Sequence, residues 1–294
     1  MTHQSILAWQ NYRYLIWFFA IVLISTVLFV SQFERPLPPS GGTWQGYTLG
    51  TIGAVLIVWL TLLSVRKRRY RSRLGAVEGW TSAHVYLGTA VLIVSVLHSA
   101  AQLTSLNVHT ITFWLMLIVV CSGFYGLYVY LHVPESMSEN LEGKYLAHWL
   151  SELADVDQKL AEIAATTQAS WRAEILSALN GTSIGGGRRT QLFKRDHSTM
   201  YSSAAAKVVS NRDQAEIIST LSLRIPQAHA DEQQSALLNK AFSLFGNRQL
   251  LLRRIRKDMQ HKAILKVWLY LHIPFTVGLL VALCAHIFVI FFYW

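Results

Sequence analysis

The chain has 294 residues, of which 52% are hydrophobic and 12% aromatic, while only 14% are charged. Soluble domains usually carry about 25% charged residues, so this composition excludes an ordinary soluble globular protein. The few charged residues are also absent from long stretches of the chain. Together these features predict an integral membrane protein.

Five apolar windows are long enough to cross a membrane. A transmembrane helix needs about 20 mostly apolar residues, and the windows are 14–33, 46–65, 82–101, 110–132 and 264–293. The first is not typical of a signal peptide, because Arg13 is the only Lys or Arg before it and no small-residue cleavage site follows it. The predicted fold is all-α: a polytopic membrane bundle of five transmembrane helices, built from residues 1–133 and 263–294.

The sequence "RKRRYRSR", residues 66–73, lies between the second and third windows. Basic residues next to a membrane span stay on the cytoplasmic side, so this loop and the N-terminus are predicted inside and the C-terminus outside. All Lys and Arg residues except Arg35 then fall on the cytoplasmic side. The net charge of +10 is explained by topology in a multi-pass protein of the cytoplasmic (inner) membrane, and nucleic acid is not expected as a partner.

The third window contains "HVYLGTAVLIVSVLH", with His84 and His98 fourteen residues apart. Fourteen residues of α-helix advance about 21 Å and return within some 40° of the starting direction. The two histidines therefore lie near one stripe of this helix, at two depths. Polar side chains at membrane depth are costly and usually functional.

The fourth window has a histidine near each end, His109 and His132. They are twenty-three residues apart, so they do not match the two depths together, and interfacial hydrogen bonding is their expected role.

Cys121 and Cys284 both lie in apolar segments without a C-x-x-C-H motif. Covalent c-type haem and iron–sulfur ligation by this chain are therefore excluded.

Residues 134–262 form a separate, mostly helical cytoplasmic insertion between the fourth and fifth windows. Apolar residues at helical spacing predict one or two amphipathic helices up to about residue 179. A loop is expected over 180–202, and then a helix over 203–224 that Pro226 ends. From Asp231 an unbroken helical pattern continues into the fifth window.

The fifth window repeats the pattern of the third, with "HIPFTVGLLVALCAH" running from His272 to His286. With five spans, the third and fifth helices run in the same direction. If they are neighbours, His84 faces His272 near the cytoplasmic surface and His98 faces His286 near the outer surface.

Facing imidazoles at two depths suit haem iron. Neutral imidazole is a good ligand for iron, zinc and copper, but a lone zinc ion normally needs three or four ligands. Haem iron needs only two axial ligands from the protein. Small residues near the two stripes, including Gly88 and Gly278, would let a macrocycle approach the helices.

The paired spacing resembles the di-haem membrane cytochromes b, namely cytochrome b of quinol–cytochrome c oxidoreductases and the transmembrane domains of ferric reductases and NADPH oxidases. The resemblance covers the membrane helices and implies that two non-covalent b-type haems have these axial ligands: His84, His98, His272 and His286. The Pro-Glu-Trp-Tyr quinol motif is missing, and we expect no flavin- or nicotinamide-binding domain after the last helix.

The expected function is transmembrane electron transfer by an electron-transfer subunit of an oxidoreductase complex, rather than by a complete enzyme. Besides membrane lipid, the expected partners are quinone or quinol on one side and a separate redox subunit on the other. That subunit is a c-type cytochrome, or an iron–sulfur flavoprotein docked on 134–262. His132 or Tyr130 would border a quinone pocket if this chain contains one.

Two other classes stay open from the sequence. One is a transporter or permease whose intramembrane histidines bind a metal ion or relay protons. The spans contain no acidic residue, and no inverted repeat of the transporter kind is evident. The other is a plain membrane anchor in which the histidines only bond neighbouring carbonyls.

Overall fold

The computed structural model describes residues 6–33, 39–69, 73–102, 107–228 and 231–292. Within these ranges the protein is almost entirely helical, with one two-stranded sheet, so the predicted all-α class is confirmed. The elements in chain order are α1 (Arg13–Val30), α2 (Trp44–Arg68), α3 (Val77–His98), α4 (Val108–Leu141), α5 (Leu146–Thr166), α6 (Ala169–Asn180), α7 (Arg188–Leu192), β1 (Thr199–Ser202), β2 (Lys207–Ser210), α8 (Ala215–Arg224) and α9 (Glu232–Phe292).

Five of these helices, α1 to α4 and α9, are long and apolar enough to cross a membrane by length and composition. They coincide with the five predicted windows, so the predicted multi-pass membrane architecture is confirmed. The helix predicted from Asp231 onward is also present, because α9 continues without a break to Phe292.

The chain divides into two compact units. The membrane unit comprises Met1–Tyr128 and Trp268–Trp294, and the insertion unit comprises Val129–Val267. Each division falls inside a helix, α4 or α9, a few residues from the positions 134 and 262 at which the sequence places the edges of the insertion.

In the membrane unit, α3 packs against both α1 and α2. Its contact face is made of small and β-branched residues, with Ala83, Ala90 and Val94 fully buried. Such residues let helix backbones approach closely, which is how helices associate in lipid. By contrast, α1 exposes large apolar side chains such as Phe19 and Leu23, as expected of a surface that faces acyl chains.

Both ends of α2 are fixed by polar contacts. Thr43 caps its N-terminus, with the Oγ1 atom accepting a hydrogen bond of 3.0 Å from the backbone N–H of Gly46. At the C-terminus, cationic side chains in the last turn complement the helix dipole. One of them, the buried Arg66, donates to the carbonyl oxygen of Gly75 at 2.6 Å and so links the end of α2 to the segment just before α3.

The insertion unit has its own apolar core, formed by α5, α6, α8 and the first half of α9. Leu160, Ile175, Ile217 and Phe245 are fully buried within it. A buried cation completes the packing: Arg248, only 1% exposed, donates to Asp157 at 2.6 Å, to Thr182 at 2.8 Å and to Gln214 at 2.7 Å. These partners satisfy the guanidinium, as a buried charge requires.

The sequence prediction is wrong for part of this unit. Residues 199–210 form an antiparallel hairpin, with Thr199 opposite Ser210, where a loop and the start of a helix were expected. Helix α8 begins only at Ala215. The run of alanines at 204–206 favours a helix locally, but these residues form the turn between strands that contain Tyr201 and Val208, residue types that fit a sheet.

Candidate functional site

His84 on α3 and His272 on α9 line one cavity of the membrane unit. The cavity has a volume of about 100 Å³, and most of its lining is apolar. Gly88 of α3 and Gly123 of α4 also line it. The structure therefore brings together the two histidines that the spacing assigns to one depth; we call them the 84/272 pair.

His98 and His286 lie opposite each other at the second depth and form the 98/286 pair. Their ring centres are 6.1 Å apart, and the ring planes are inclined by 74°. Because a metal–imidazole bond is about 2.0–2.1 Å long, two imidazoles that bind one ion from opposite sides place their ring centres roughly 6 Å apart. The observed separation fits that arrangement.

Backbone carbonyls of α2 orient the two histidines of α3. The Nδ1 atom of His84 lies 3.1 Å from the carbonyl oxygen of Leu60, and that of His98 lies 2.8 Å from the carbonyl oxygen of Gly46. A carbonyl oxygen can only accept, so in both rings Nδ1 carries the proton and donates it.

Side chains of α4 orient the two histidines of α9. The Nδ1 atom of His272 lies 2.8 Å from Ser122 Oγ. Because the Ser122 hydroxyl donates its own proton to the carbonyl oxygen of Val119 at 2.7 Å, Oγ accepts from His272. The Nδ1 atom of His286 lies 2.8 Å from the Nδ1 atom of His109, so one of these two imidazoles donates to the other.

These contacts decide which nitrogen can bind a metal. In neutral imidazole, one nitrogen carries the proton and the other has the free lone pair. With Nδ1 engaged as a donor, Nε2 is the nitrogen with the lone pair in His84, His98 and His272, and also in His286 when His109 accepts. Metal-binding histidines are typically held this way, with the second nitrogen bonded to an oriented acceptor.

Glycines leave room around these rings. A Cβ atom at Gly50 would lie only 2.8 Å from Cε1 of His98, and one at Gly123 would lie 3.7 Å from Cε1 of His272. Gly88 lines the cavity of the 84/272 pair. Gly278 lies outside that lining, and a Cβ atom there would lie 4.0 Å from Cδ2 of Leu115 on α4. Its predicted role beside a cofactor stays a prediction.

The site offers fewer ligands than the three or four that a lone metal ion normally needs. Among the described residues, no group of three or more His, Cys, Asp or Glu side chains is arranged to hold one. Cys121 and Cys284 are free thiols at exposed positions. The donor set of the 84/272 pair is therefore two imidazoles beside a mainly apolar space.

Sequence reasoning missed Gly46, Gly50, Ser122 and the role of His109 at the site. His109 could have been placed, because antiparallel α4 begins at the depth where α3 ends. The serine and the glycines gave no such signal, since their roles depend on which helix faces which.

Comparisons of the chain with protein families, with characterised proteins and with solved structures find no match.

Proposed function

We propose that this protein holds two non-covalent b-type haems and serves as the membrane electron-transfer subunit of an oxidoreductase. The observation that carries the proposal is that Nδ1 of all four histidines lies 2.8–3.1 Å from a hydrogen-bonding partner. This contact leaves Nε2 available in His84, His98 and His272, and also in His286 when His109 accepts.

The residues have distinct roles in this proposal. His84 and His272 would hold one haem, and His98 and His286 the other. Leu60, Gly46, Ser122 and His109 fix the direction of each ring. When bound, haem iron would supply one-electron redox chemistry, with a potential set by axial ligation, burial and hydrogen bonding.

The apolar lining of the cavity supports the same assignment. Side chains such as Ile57, Val91, Met116 and Leu279 surround the 84/272 pair. They would cover the apolar faces of a macrocycle and keep water from the ligating nitrogens. A low-dielectric shell of this kind is one of the ways in which a protein tunes a redox centre.

The expected partners and placement belong to the proposal as well. Quinone or quinol would exchange electrons on one side of the membrane, and a separate redox subunit, a c-type cytochrome or an iron–sulfur flavoprotein, on the other. The basic residues at 66–73 support a cytoplasmic position for the loop between α2 and α3 in the cytoplasmic membrane. Two further spans, α3 and α4, would return the chain to the same side at the insertion unit.

The decisive experiment combines spectroscopy with single substitutions. The purified protein should show a reducible b-type spectrum and release two haems per chain into acid acetone. His84→Ala and His272→Ala should remove the same spectroscopic component, while His98→Ala and His286→Ala should remove the other. The double variant His84→Ala/His272→Ala should look no worse than either single variant, because both changes delete one site.

His132→Ala is the matched control, because His132 is an exposed histidine on α4 outside both pairs, and it should retain both components. A colourless protein, purified from cells supplied with haem, would contradict the proposal. A shared loss in His84→Ala and His286→Ala would contradict the pairing.

A further inference from the structure

The segment Arg188–Arg195, "RRTQLFKR", forms a cationic surface with an exposed aromatic residue; we call it the foothold. Arg188, Arg189, Lys194 and Arg195 are all exposed. Phe193 is 65% exposed between them, and the guanidinium of Arg195 lies 5.8 Å from the centre of its ring. An exposed phenylalanine framed by cations is typical of segments that lie in a membrane interface.

Contacts on both sides hold the foothold against α9. Gln260 of α9 donates from Nε2 to the carbonyl oxygen of Leu192 at 2.9 Å. One turn earlier, Arg256 donates to the carbonyl oxygen of Ser183 at 2.7 Å and forms an ion pair with Asp196 at 2.7 Å. The foothold is therefore held to residues 256–260 of α9 at Leu192 and through Ser183 and Asp196, which lie before and after it.

This attachment point lies close to the membrane along α9. The apolar window of α9 begins at residue 264, four residues after Gln260, which is about 6 Å of helix. The window of 264–293 is longer than the roughly 20 residues that cross the hydrocarbon core, which leaves about ten residues for headgroup depth at its two ends. Exposed Lys257 and Lys266 flank the same position.

The charge of this segment has one sign. Residues 183–195 contain no acidic residue, and the carboxylate that follows, Asp196, is already paired with Arg256. Each Lys or Arg near an anionic bilayer contributes about 1 kcal/mol to membrane binding, or about fivefold in affinity. Four such residues around one insertable aromatic ring match a surface of anionic phospholipid.

We propose that the foothold lies on the bilayer surface, with Phe193 inserted among the headgroups and the four cations bound to anionic phospholipid. The insertion unit would then contact the membrane at the foothold as well as through α4 and α9. This inference is independent of the haem proposal, because it uses none of the four histidines.

The experiment uses the full-length protein in lipid nanodiscs with an environment-sensitive fluorophore on a single cysteine. The background variant is Cys121→Ser/Cys284→Ser, and the label is placed by Phe193→Cys. The matched control is Leu223→Cys. Leu223 is an equally exposed apolar residue, at 67%, on α8. Asp213, two residues before α8, accepts a hydrogen bond from Gln249 of α9, about 16 Å of helix before Gln260.

The label at 193 should be quenched by spin-labelled lipid in discs containing phosphatidylglycerol, and it should be quenched less in pure phosphatidylcholine. The label at 223 should remain unquenched in both. Replacing the four foothold cations with Gln should lower the affinity of the foothold for the surface by about fivefold per residue. Raised salt should act in the same direction without any substitution, because it screens exposed charges.

Equal quenching at 193 and 223 in the anionic discs would overturn the proposal. Equal quenching at 193 in both lipid compositions would overturn the anionic specificity. A label at 193 that spin-labelled lipid does not quench, but whose fluorescence changes when an acidic peptide or RNA is added, would overturn the proposal and indicate a soluble polyanionic partner.

Discussion

Gly50→Ala tests the geometry of the 98/286 pair with a change of one methyl group. The new Cβ would lie 2.8 Å from Cε1 of His98, which is 0.6 Å short of ordinary van der Waals contact at 3.4 Å. The ring cannot swing aside freely, because its Nδ1 donates to the Gly46 carbonyl at 2.8 Å. The imidazole must therefore move by about the width of the overlap.

A displacement of that size exceeds what a metal bond tolerates, since ligand distances in metal sites hold to within about 0.2 Å. We expect Gly50→Ala to lose the spectroscopic component of the 98/286 pair and to keep that of the 84/272 pair. Overpacking lowers the free energy of unfolding by about 1–3 kcal/mol, whereas replacing a helical glycine with alanine raises it by about 0.5–1 kcal/mol. The variant should therefore be slightly to moderately less stable.

Gly53→Ala is the matched control on the same helix. Its Cβ would lie 3.9 Å from Cγ1 of Val94, an ordinary contact, so it should keep both components and gain up to about 1 kcal/mol in stability. The assays are the reduced-minus-oxidised visible spectrum and the thermal unfolding midpoint in detergent. If Gly50→Ala keeps both components as fully as Gly53→Ala does, the assigned position of His98 is wrong.

Two further changes test polar contacts elsewhere in the chain. His109→Leu removes the partner of His286 Nδ1 and should weaken retention of the 98/286 component by 10–100-fold, as loss of such outer contacts typically does. His109→Gln can still accept a hydrogen bond and should retain that component. Equal spectra of the two variants would contradict the role of His109. Burial raises the pKa of the Asp196 carboxyl, but hydrogen bonds from Ser198 and Asp213 and the charge of Arg256 outweigh it and hold the pKa below its usual value. A lowered folded-state pKa gives stability that is present above the unfolded pKa of about 3.9 and is lost as the pH falls through the folded value. The unfolding midpoint of the natural protein should thus exceed that of Asp196→Asn at neutral pH, and the difference should shrink below about pH 4; a difference independent of pH would contradict it.

The sequence predicts what depends on periodicity and composition. The five spans follow from apolar length, and the two histidine depths follow from a spacing of fourteen residues that repeats on two helices. The partners of Nδ1 could not be predicted, because Leu60 and Ser122 belong to helices whose facing surfaces are set by packing between segments far apart in sequence. The hairpin at 199–210 was missed for a related reason: Ala204 to Ala206 favour a helix locally, and the pairing of the strands on either side of them outweighs that preference.

The separation of the paired histidines along the chain has a consequence for assembly. His84 and His272 are 188 residues apart, and so are His98 and His286. Synthesis proceeds from the N-terminus, and earlier segments fold first, so the first four membrane helices and the whole insertion are made while each pair still lacks one member. Both pairs are completed by the same helix, α9. Incorporation of any group that the two members of a pair share must therefore wait until His272 and His286 have been synthesised.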